Sequence, residues 1–132
     1  MQFSTILSIA AFVGLSIAAP AHEKRYIAGR CGIHVIQYQK NEHGVGANYR
    51  FDIRIVDAGG NTVGLDNGHD IPNFSSAAIS SELPYQLIVT TGSVDNDPVQ
   101  FSYAGYTFSS STGCSTGKYD GGNREMDCGF GC

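Results

Sequence analysis

The chain has 132 residues, with 8 Lys/Arg against 12 Asp/Glu, a formal net charge of −4 and no tryptophan. That length sets a single domain, and the acidity excludes a binder of nucleic-acid backbones, which needs a basic face. It equally offers no patch for an anionic membrane surface.

The first element is an apolar run from Phe3 to Ile17, closed by the small residues Ala18 and Ala19. It is shorter than the about 20 apolar residues of a membrane span and reads as a signal peptide over residues 1–18. Ser16 and Ala18 then occupy the two small-residue positions of the cleavage site, although no Lys or Arg precedes the run. No later segment is long and apolar enough to span a membrane. The pair Lys24-Arg25 reads as a kexin-type dibasic site ending a short propeptide over residues 19–25. The secreted, extracellular domain is therefore expected over residues 26–132, and loss of Glu23, Lys24 and Arg25 leaves it still more acidic.

Within that domain Ile33 to Tyr38 is rich in strand formers. Tyr49, Phe51, Ile53 and Ile55 alternate with Arg50, Asp52 and Arg54, the period-2 pattern of a half-buried strand. A turn at Asp57-Ala58-Gly59-Gly60-Asn61 leads to a short partner strand, Thr62-Val63-Gly64. Phe74 to Glu82 is the one segment that fits a short helical turn. Tyr85, Leu87 and Val89 alternate with Gln86 and Thr90, a pattern that Ile88 blurs; Val99, Phe101 and Tyr103 alternate with Gln100 and Ser102, and Ala104-Gly105 then turns the chain into Tyr106-Thr107-Phe108. About six short strands without crossover helices predict an all-β fold, a small antiparallel sandwich or barrel. The expected core draws on Ile33, Ile36, Phe51, Ile53, Ile55, Leu87, Val89, Phe101 and Phe108.

Four cysteines, Cys31, Cys114, Cys128 and Cys132, imply two disulfides in a secreted chain. Three of them cluster at the C-terminus, so Cys31 is expected to tie the start of the domain to Cys114 or Cys132. Such a loop of eighty or more residues stabilises by ~4 kcal/mol on the chain-entropy argument. The absence of a CxxC pair and of any histidine after Cys114 argues against zinc.

The catalytic signals are weak. Size, acidity, four cysteines and richness in Gly, Ser and Tyr resemble, in composition alone, the small guanyl-specific ribonucleases of fungi. Their chemistry needs a glutamate, a histidine and an arginine around the scissile phosphate. Here His34, His43 and His69 all precede Glu82, and only Arg124 follows it, so the expected order is missing. No GxSxG is present, and nothing singles out a pair among Asp52, Asp57, Glu82 and Asp95 for glycoside hydrolysis. No enzyme activity and no cofactor are expected.

Binding signals are stronger. Acidic loops carrying Asp57, Asp66, Asp70, Asp95 and Asp97 would suit calcium if gathered at one end of a sandwich, in outline similar to synaptotagmin-type domains. The same residues are also ordinary turn formers. Asn73-Phe74-Ser75 is an N-glycosylation acceptor pattern. Among seven tyrosines, Tyr106 and Tyr119 are the expected contact residues for a protein partner or a sugar ring.

The leader, the propeptide ending in Lys24-Arg25 and the cysteine-rich end (Cys114, Tyr119-Asp120-Gly121-Gly122, Asp127-Cys128-Gly129-Phe130-Gly131-Cys132) together resemble small secreted cysteine-containing proteins of filamentous fungi. The resemblance implies a non-enzymatic, effector-like role through contact with a host or extracellular protein. A cell-wall glycan or calcium-dependent binding module is the alternative.

Overall fold

Alternation of apolar and polar residues dictates most of this fold, because a strand whose odd positions are apolar gains stability only by turning them all to one side. The computed structural model describes residues 25–132; the expected signal peptide and all but the last residue of the expected propeptide lie outside them. Nine strands form: β1 (Arg30–Tyr38), β2 (Tyr49–Val56), β3 (Thr62–Ile71), β4 (Ser76–Ile79), β5 (Leu87–Thr90), β6 (Gln100–Tyr103), β7 (Tyr106–Ser109), β8 (Cys114–Thr116) and β9 (Asn123–Gly131). They build a five-stranded sheet in the order β3-β2-β1-β9-β8 and a four-stranded sheet in the order β4-β5-β6-β7. Every pairing among these nine strands is antiparallel, which makes the described domain an all-β sandwich.

The core lies between the sheets. Cys31, Ile33 and Val35 of β1, Phe51, Ile53 and Ile55 of β2 and Met126, Cys128 and Phe130 of β9 face Ile79, Leu87, Val89, Phe101, Tyr103 and Phe108. Aromatic rings bridge the layers: Phe130 lies 4.9 Å from Tyr103 and 5.8 Å from Phe108, centroid to centroid. Each such side chain, fully buried, contributes about 1.5–3 kcal/mol.

Several expectations are corrected. Phe74 to Glu82 contains strand β4 in place of a helical turn, because Ser76–Ile79 pairs with Leu87–Thr90. Ile36 is not core: it alternates out of register with Ile33 and Val35, and Val35 takes the buried position. The partner of β2 is longer than Thr62-Val63-Gly64 and runs on to Ile71. It survives its polar sequence through a bulge, where the ladder steps from Phe51↔His69 to Ile53↔Asp66. Gly68, at φ 69°, makes that step, and its amide donates to Asp52 Oδ1 at 2.7 Å. The cysteine-rich C-terminal end supplies two strands beyond those expected, β8 and β9.

Cys31 bonds Cys132 and Cys114 bonds Cys128. The first staples the start of β1 to the end of the chain, beside reciprocal backbone bonds between Gly29 and Cys132. Two disulfides are the chemistry of an oxidising compartment. Among the described residues no helix is long and apolar enough to cross a membrane.

Candidate functional site

With one face of each sheet committed to the core, the outer face of the five-stranded sheet displays the alternate residues. On β1 these are His34, Ile36 and Tyr38, and the register places Arg54, Asp52 and Arg50 beside them on β2, and Asp127, Glu125 and Asn123 on β9. Most of the charges are paired. His34 Nδ1 lies 2.7 Å from Asp127 and its Nε2 lies 3.2 Å from Glu125, so both ring nitrogens face carboxylates. Arg50 Nε donates to Asp70 at 3.0 Å, which holds the guanidinium pKa above its ordinary value. The Tyr38 hydroxyl donates to Asp52 at 2.5 Å, and that bond raises the phenol pKa.

Arg54 differs, for it makes no ion pair among the described residues. Its cross-strand neighbour on β3 is Leu65, which is 62% exposed. His34, Ile36, Asp52, Arg54, Leu65 and Asn67 rim a shallow depression of about 210 Å³. A cation without an ion-pair partner among the described residues, an exposed leucine and a concavity therefore coincide on the β1–β2–β3 half of this face.

The acidic residues singled out from the sequence are not brought together. Asp57 closes the β2–β3 turn, accepting from the amides of Gly59 and Asn61 at 2.9 Å each and from the Ile27 amide at 2.9 Å. Those bonds, the one from Ile27 foremost, lower its pKa. Asp66 and Asp70 sit within β3, not in a loop, and bond His69 at 2.7 Å and Arg50 at 3.0 Å. Asp97 caps its own loop through the Ser93 and Val94 amides, which lower its pKa, and Gly92 leaves room for its side chain. Asp95 accepts from the Lys40 amide at 3.1 Å. Asp57 and the Asp95–Asp97 loop lie at opposite ends of β2, since Tyr49 at its start bonds Val94 and Asp57 follows its last residue. Among the described residues no group of three or more His, Cys, Asp and Glu side chains is placed to hold a metal ion.

Tyr119 is half-buried and serves a second cluster. Its hydroxyl donates to the Asp95 carbonyl at 2.7 Å, its ring lies 5.0 Å from the Arg124 guanidinium, and burial raises its pKa. Arg124 also donates to Gln37 Oε1 at 2.9 Å and to the Asp97 carbonyl at 3.2 Å. Lys40 Nζ reaches the Ser93 carbonyl at 2.8 Å and Asn73 Oδ1 at 2.7 Å. These bonds fasten the β5–β6 connection to the five-stranded sheet. Asn73 is exposed on the β3–β4 connection, and Tyr106 is exposed at the exit of the β6–β7 turn.

The face residues His34, Arg54, Leu65, Glu125 and Asp127 escaped selection from the sequence. The period-2 pattern marks them as outward, but only the strand order shows that they are neighbours. No protein-family model matches the chain, and neither a curated protein nor a solved structure matches it.

Proposed function

We propose that the chain is a secreted, non-enzymatic contact protein, a host-directed effector whose partner docks on the outer face of the five-stranded sheet. The observation that carries this reading is the coincidence of the unpaired Arg54, the exposed Leu65 and the shallow concavity on the β1–β2–β3 half of that face. Arginine and large apolar side chains dominate binding energy at protein interfaces. A flat sheet face rigidified by its own ion pairs loses little side-chain entropy on binding.

Two further points support it. His34 has carboxylates against both ring nitrogens, and the Tyr38 hydroxyl is spent on Asp52, so neither stands free beside a second reactive group. The leader and the dibasic site route the chain outside the cell, where its two disulfides persist.

The test is affinity capture from host extracellular fluid with the oxidised protein, comparing wild type with Arg54→Glu and Leu65→Asp. A control variant, Thr107→Glu, alters exposed β7 of the other sheet. Capture that survives the control and falls about tenfold or more in both face variants supports the reading. Capture equal in all four proteins refutes it. So does turnover of RNA or a glycoside by the wild-type protein that one substitution abolishes.

A further inference from the structure

A second feature lies at the other sheet. Tyr103 and Tyr106 are cross-strand partners at the β6–β7 turn, and the Tyr85 ring meets Tyr103 edge-on at 5.9 Å. Tyr85 is 61% exposed and Tyr106 52% exposed, yet Tyr103 between them is only 2% exposed. The Tyr103 hydroxyl has no hydrogen-bond partner. Burial pushes its pKa up, and the nearby Tyr85 backbone opposes that rise.

Such an arrangement is costly in the free protein. A buried hydroxyl without a partner keeps a desolvation penalty that a ligand can relieve. Two half-exposed phenols beside it, at the end of a well-packed sandwich, are poor candidates for simple core filling. The residues adjacent to the three tyrosines in the chain, Pro84, Gln86, Ser102, Ala104, Gly105 and Thr107, carry no charge, which disfavours an ionic ligand.

We propose that Tyr85, Tyr103 and Tyr106 form a binding patch for the pyranose rings of a neutral cell-wall polysaccharide. The apolar C–H faces of the sugar stack on Tyr85 and Tyr106, whose rings are amphipathic and lose few rotamers. The Tyr103 hydroxyl lies beside the exposed Tyr85, and a small shift of that side chain, fast on the timescale of binding, lets the hydroxyl pair with a sugar hydroxyl while the Tyr85 ring keeps its stacking contact. Aromatic support behind the patch is continuous: Tyr103 packs on Phe130, Phe130 on Phe108, and Phe108 on Tyr106. The patch belongs to the four-stranded sheet and leaves the proposed protein-docking face free, so both could act at once at a wall surface.

The experiment is co-sedimentation of the oxidised protein with insoluble chitin, β-1,3-glucan and cellulose. Wild type is expected to be retained on at least one of them. Tyr85→Ala with Tyr106→Ala should weaken that retention about tenfold or more. Tyr103→Phe separates binding from folding: its melting temperature should hold or rise, because an unpaired hydroxyl is removed, while retention falls about fivefold. Arg54→Glu, on the other sheet, should sediment like wild type. The inference is overturned if wild type stays in the supernatant with all three materials. Retention unchanged in the double tyrosine variant, or lost equally in Arg54→Glu, overturns it as well.

Discussion

Gln37 shows how one polar side chain can organise a connection. It points into the core side of β1 with no exposed surface, yet it is not stranded. Its oxygen accepts from Arg124 and its amide reaches the Asp95 carbonyl at 3.4 Å. Gln37→Leu is expected to cost about 1–3 kcal/mol, since the Arg124 guanidinium then loses a buried acceptor; urea denaturation reads the loss. Ionisation follows from the same loop. Asp97, like Asp57, has a folded pKa below the ordinary 3.8, set by backbone amide donors. Their contribution is complete above that value and is lost as the pH falls through their lower folded values. Melting temperature should therefore drop steeply only below about pH 4, and Asp97→Asn should blunt that drop. On the alkaline side the Tyr49 phenol is pushed from 10.0 up to about 12, by burial first and then by Asp97 and Asp95. A raised folded value gives stability that is full below pH 10.0 and lost as the pH rises through about 12. Phenolate absorbance, free of tryptophan background, should show a group of tyrosines titrating late, Tyr49 among them, and the late step should shrink in Tyr49→Phe.

At the scale of elements, β9 is the instructive strand. Met126, Cys128 and Phe130 alternate with Asp127 and Gly129, the same period-2 signal as in β2. Its glycines and cysteines kept it out of the expected strands, because neither residue advertises a strand. Yet β9 lies between β1 and β8, and all three alternate residues are core. Strands β1, β2, β5, β6 and β7 were legible because branched and aromatic residues dominate them. The run Leu65 to Asp70 was not, since Asp, Asn, Gly and His suit turns and only pairing to β2 makes them strand. For the same reason Asp66 and Asp70 read as loop ligands. Phe130→Ala should cost about 3–5 kcal/mol by opening a cavity where the two sheets meet. An effect near zero, in equilibrium denaturation, would mean that β9 is peripheral.

At the scale of the whole molecule, a domain this small has little core to spare, and the bridges carry part of the stability. The Cys31–Cys132 bridge closes a separation of 101 residues and Cys114–Cys128 one of 14. On the chain-entropy argument the first is worth about 4.7 kcal/mol and the second about 3. Paired replacement by alanine should therefore lower the denaturation midpoint more for the long bridge than for the short one. The two-sheet architecture also decides where function can sit. Turn caps and the cluster around Tyr119 occupy several of the polar loops, and the surfaces proposed for binding are a sheet face and an aromatic end. The sequence shows which residues point outward along a strand; which outward residues become neighbours depends on the strand order β3-β2-β1-β9-β8, which no local pattern encodes.

The most direct measurement is covalent side-chain footprinting of the oxidised protein in host extracellular fluid and in plain buffer. The expected result is reduced labelling of His34, Leu65 and Asp127 on the outer face of the five-stranded sheet, with Ser76 and Thr107 of the four-stranded sheet unchanged. Equal labelling of that face in fluid and buffer would contradict the assignment of a protein-docking surface.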